Sequence, residues 1–122
     1  MELNPQKIID NLGKLGAELL KVNNDLYETS IKKAEAERAY RTELAKKILI
    51  LRTEKYPVTI INDLARGDKK IAKLKFERDA QEALYDACKY NINSIHERIS
   101  VGQSILGWMK NEYQYANKIN GS

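Results

Sequence analysis

Ile8, Leu12, Leu15, Leu19, Val22 and Leu26 recur at alternating spacings of four and three. That is a heptad seam, the pattern of a helix that packs along another helix. Asn4-Pro5 just ahead of it is a start signal, because Asn caps a helix and Pro suits its first turn. The seam then blurs. Asn23, Asn24 and Asp25 are poor helix formers, and Ser30, Lys33 and Glu37 fall where apolar residues are due. Tyr27, Ile31 and Ala34 continue a stripe one position over, which predicts a stutter or a local break. Tyr40, Leu44, Ile48 and Leu51 restore an apolar face.

Tyr56-Pro57 ends this first helix, since the residue before a proline is pushed out of the helical region. VTIINDLAR then predicts a short helix over about 58–66, two turns long. Gly67 is placed to close it in a left-handed conformation, and Asp68 to cap the next helix. The second long helix has the cleaner seam: Ile71, Leu74, Tyr85, Cys88, Ile92, Ile95, Ile99, Leu106, Met109 and Tyr113 fit one three-four spacing. Arg78 and Gln81 interrupt it once, and Gly102 sits in it as a small residue. Gly121-Ser122 reads as a frayed end.

The pattern predicts an all-α chain: one domain, 1–122, built as a long antiparallel helical hairpin. Its helices run over about 5–55 and 68–118, with the short helix at the corner. Helices of about 50 residues are about 75 Å long. Leu20, Ile50, Ile60, Ile61, Phe76, Leu84 and Ile105 lie beside the seams, so the stripes are too wide for one partner helix. Two hairpins paired into a coiled-coil-like bundle would bury them, giving a homo-oligomer, dimer or higher, with Ile92, Ile95, Ile99 and Leu106 as the self-association seam. The competing architecture is a shorter monomeric bundle, with the first helix broken near Asn23-Asn24.

Composition agrees with long helices: 122 residues, 31% charged, two prolines and a mean hydropathy of −0.58. No window resembles a membrane span, and MELNPQKIID lacks the basic start and apolar core of a secretory signal. Cys88 is alone, which excludes an internal disulfide and fits a reducing cytoplasm. Little chemistry is on offer. His96 and Cys88 do not make a zinc site, and a seam cysteine reads as a small inert thiol. Asp79, Glu82 and Asp86 share a helix face, but the inward Glu-x-x-His of a di-metal bundle is missing. There is no Gly-rich phosphate loop and no nucleophile elbow. The expectation is a protein that is not an enzyme and takes no metal or cofactor.

Charge is what changes the picture. From Arg41 to Arg78 there are eleven Lys and Arg against five Asp and Glu, a balance of +6, while the rest of the chain stands at −2. Lys46, Lys47, Arg52, Lys55, Arg66, Lys69, Lys70, Lys73 and Lys75 all lie within a few turns of the corner, where a cluster focuses a field. Two readings stand: a solvated face that keeps an elongated protein soluble, or a surface for nucleic acid, with Tyr40 and Tyr56 as stacking platforms for single strands. Ala65 and Gly67 are too close for a helix-turn-helix. Trp108, Tyr113 and Tyr115 form an aromatic end to the second helix. They are either a partner patch or a closure of the bundle end against Ile8 and Leu12.

Tyr40 and Leu44, Pro57-Val58-Thr59 with Ile61, Leu64-Ala65-Arg66-Gly67-Asp68, Arg78-Asp79-Ala80 with Tyr85, and Gln103-Ser104-Ile105 resemble a family of small helical proteins encoded by phages and prophages of low-GC Gram-positive bacteria. The resemblance covers about residues 38–110. It implies life in the cytoplasm of a bacterial host, near recombination, single-strand binding or defence evasion, and it assigns no functional residue. The leading expectation is a non-catalytic adaptor that binds nucleic acid, or a protein that handles it, through the basic tip. An anti-defence inhibitor of a host immune nuclease such as a CRISPR effector is the rival, and a purely structural oligomer is the third class.

Overall fold

The computed structural model of the chain describes residues 4–120, with the backbone alone described at 120; the expected frayed end Gly121-Ser122 lies outside them. The chain is all-α. Its elements are α1 (Pro5–Thr53), α2 (Val58–Gly67) and α3 (Lys69–Asn120), and no strand occurs among the described residues. No helix among them is long and apolar enough to cross a membrane.

α1 starts at the expected signal. Asn4 Oδ1 accepts the Gln6 amide at 2.9 Å and the Asn4 carbonyl accepts the Ile8 amide at 3.2 Å. The first bond satisfies a donor that a helix start leaves orphaned, and the second is the first intrahelical bond, accepted by the capping residue's carbonyl. The break near Asn23-Asn24 that the competing architecture required does not occur, and α1 is continuous through it. The seam does not shift either. Tyr27 and Ile31 are exposed, while Thr29, Ser30, Lys33 and Glu37 are half-buried in the original phase. Polar residues hold these seam positions because they find partners. The Thr29 and Ser30 hydroxyls donate back to the Leu26 and Tyr27 carbonyls. Lys33 reaches Tyr85 of α3, and Glu37 reaches Arg78 of α3.

The left-handed residue is not where the sequence placed it. Gly67 is the last residue of α2 with ordinary helical backbone, and the one positive φ among the described residues, 64°, belongs to Lys55. There the Tyr56 amide donates to the Leu51 carbonyl at 3.3 Å and the Lys55 amide to the Arg52 carbonyl at 3.1 Å. Those two bonds are a Schellman motif, which satisfies the last carbonyls of α1 and needs its penultimate residue left-handed. α2 closes differently: Asp68, extended at φ −62° and ψ 134°, alone separates it from α3. Asp68 Oδ1 then accepts the amides of Lys70 at 3.0 Å and Ile71 at 3.3 Å, capping α3 as expected.

The chain divides into two compact units, one of Met1–Asp25 with Lys89–Ser122, the other Leu26–Cys88. In the first, Leu15 and Val22 of α1 enclose Ile95 of α3, which is 0% exposed, and Leu19, Ile92 and Ile99 pack around them. Gly102 lies against Leu12; a Cβ there would sit 2.7 Å from Leu12 Cδ2. Ile92, Ile95 and Ile99, expected as a seam between chains, therefore pack α3 on α1 of the same chain, with Leu106 half-buried further along the row. In the second unit, Leu51 packs with Ile61 and Ala65 of α2, one turn apart on one helical face, and Leu44 and Ile48 lie against them. α1 and α3 run antiparallel there: Lys47 meets Asp68, Glu43 meets Lys70 and Glu37 meets Arg78.

Candidate functional site

Two cross-helix pairs hold the corner. Lys70 Nζ lies 3.2 Å from Glu43 Oε2, and Lys46 Nζ 3.6 Å from Glu43 Oε1. Lys70, and then Lys46, hold the Glu43 carboxyl below its ordinary range, against the opposing effect of desolvation. Lys47 Nζ lies 3.6 Å from Asp68 Oδ2. The Ile71 amide does most to lower the Asp68 carboxyl, helped by the Lys70 amide and by Lys47 and opposed by desolvation. Three of the nine cations read from the sequence are thus answered by two carboxylates.

The other six are Arg52, Lys55, Arg66, Lys69, Lys73 and Lys75. All are exposed, and none has a carboxylate within 4.0 Å among the described residues. Lys69 and Lys73 are one turn apart on α3, with Ile71 buried on the opposite side. Apolar side chains stand among these cations. Tyr56, Val58, Ile60 and Leu64 are exposed around α2, and Phe76 is exposed three residues beyond Lys73. Of the two tyrosines expected to stack on bases, Tyr56 is available and Tyr40 is not. Tyr40 is buried under Arg78, whose guanidinium carbon is 4.5 Å from its ring centre.

That contact belongs to a polar layer that sequence reading passed over as an interruption of the seam. Arg78 Nη2 lies 3.0 Å from Asp79 Oδ1 and Arg78 Nε 3.8 Å from Glu37 Oε2. Asp79 first, by hydrogen bond and charge, then Glu37 and Tyr40, raise the Arg78 pKa against desolvation. Lys33 Nζ lies 4.6 Å from the Tyr85 ring centre. Gln81 Oε1 is buried without a partner. The layer ties α1 to α3 through Glu37 with Arg78, Tyr40 with Arg78 and Lys33 with Tyr85. Cys88 is a half-buried free thiol.

The aromatic end lies elsewhere, in the first unit. Trp108 is 60% exposed, and Tyr113 and Tyr115 are more so, so none closes the bundle on Ile8 and Leu12. Comparison with family models, curated proteins and solved structures yields no match to this chain.

Proposed function

We propose that this protein is a non-catalytic, phage-type helical adaptor whose basic corner binds nucleic acid in the cytoplasm of a bacterial host. In this reading α1 and α3 are the arms of a long hairpin with α2 at its tip. The observation that carries it is the set of six exposed cations around one corner that have no carboxylate within 4.0 Å among the described residues. A face built only for solubility gains from cations paired or spread along the chain, whereas unpaired cations gathered at one end concentrate potential for a polyanion. Lysines and arginines on helices favour contacts to phosphate rather than to sequence. The test is capture from bacterial lysate on immobilised protein, with and without nuclease. A nuclease-sensitive catch of nucleic acid is expected. One stoichiometric host protein, retained after nuclease, overturns this reading in favour of an inhibitor of that protein.

A further inference from the structure

The first unit carries a second surface, remote in sequence from the corner. Beside the row that packs on α1, α3 carries another: Val101, Ile105, Trp108, Glu112, Tyr115 and Ile119, spaced by fours and threes. Two such rows on one helix are the signature of a helix that packs on two neighbours. The first neighbour is α1. The second row is open: Val101, Trp108, Tyr115 and Ile119 are exposed, and Ile105 is half-buried. Val101 and Ile105, with Glu97 and Arg98, form one wall of a groove of about 830 Å³, whose other wall is Asn4, just ahead of α1, with Lys7, Ile8 and Asn11 of α1. Trp108 borders a smaller cleft of about 390 Å³ that shares Val101 and Ile105.

α3 also outruns its partner. Leu12 faces Gly102 and α1 begins at Pro5, so the antiparallel register sets Pro5 opposite about residue 109. From Lys110 to Ile119 every residue is exposed, yet the segment is helical. Helical turns of this length with nothing to pack on are marginal in water. The groove and the overhang lie along one face of one helix, and Val101 to Ile105 has the same spacing as Tyr115 to Ile119.

We propose that a second copy of this chain covers this face. A two-fold axis near residue 110 would lay the two α3 helices antiparallel. Ile119 of the partner subunit then reaches Val101, and Tyr115 of the partner subunit reaches Ile105. Each overhang fills the other chain's groove, so the contact is self-complementary and closes at two. Self-complementarity is what singles out this occupant: the groove and the exposed helical segment 110–119 lie on either side of residue 110 on one face of α3, so each copy supplies the helix that the other's groove lacks.

Trp108 is the only tryptophan, so its fluorescence reports on the contact directly. Light scattering and Trp emission are measured on the full chain over a micromolar dilution series. The expected result is a dimer whose emission shifts to the red as it dilutes to monomer. Trp108→Glu and Ile119→Glu should each be monomeric at concentrations where the unmodified chain is dimeric, with helical circular dichroism intact because both sites are exposed. A monomer at every concentration overturns the proposal, and so does a dimer that survives both substitutions, which would place the contact on another face.

Discussion

Lys55 and Gly67 each hold the backbone conformation that the other's residue type prefers, and substituting both tests the corner as structure. Lys55 is left-handed at φ 64°, a region that costs an L-residue about 1–2 kcal/mol. Glycine removes that cost but loses about 0.5–1 kcal/mol through its freer unfolded chain. Lys55→Gly should therefore stabilise by about 0.5–1 kcal/mol, or roughly 2–4 °C in Tm for a chain of this size. Gly67 is helical, and a Cβ built on it meets nothing within 4 Å. Gly67→Ala should gain up to about 1 kcal/mol from helix propensity. Thermal unfolding followed by circular dichroism measures both. A lower Tm for Gly67→Ala together with no gain from Lys55→Gly would refute this account of the corner, because it would return the left-handed turn to Gly67.

Ile95→Ala should cost about 2–5 kcal/mol, since the side chain is fully enclosed; urea unfolding checks it, and a loss under about 1 kcal/mol would mean that Ile95 is not core. Gln81→Leu should stabilise by about 1 kcal/mol or more in the same assay, because it removes a buried oxygen without a donor. The folded-state pKa of Asp68 lies below its ordinary value of 3.8, so the stability it contributes is present above that value and is lost as pH falls through the folded pKa. Asp68→Asn, which keeps a capping oxygen, should flatten this acid limb of a Tm-against-pH curve, whereas Asp68→Ala should also lower Tm at neutral pH.

The second long helix was legible almost residue by residue. Its seam from Ile71 to Met109 is mostly apolar, so the period shows without knowledge of the partner. The middle of α1 was not, because Lys33 and Glu37 become seam residues only through Tyr85 and Arg78, about forty to fifty positions away along the chain. Tyr27 and Ile31 suggest a shifted apolar stripe by residue type alone, yet both are exposed. Lysine carries no preference for the left-handed region, so Lys55 gave no local sign; Pro57 marked the stop but not the residue that turns. Charge counting gathered nine cations around the corner, yet it could not reveal that Glu43 and Asp68 answer three of them, since the pairings of Lys70 with Glu43 and of Lys47 with Asp68 cross between helices.

The most direct test of the central claim is a fluorescence-anisotropy titration of labelled single-stranded DNA at several salt concentrations, with the unmodified chain and with Lys69, Lys73 and Lys75 replaced by Gln. If all six unpaired cations contact phosphate, log K should fall against log salt with a slope of about −4, and the triple variant should flatten it to about −2. DNAs of different sequence should bind alike, and the variant should keep its helical signal, since all three lysines are exposed. No binding at low salt by the unmodified chain, to DNA or RNA of either strandedness, would contradict the account and leave the lysines as a solubilising face.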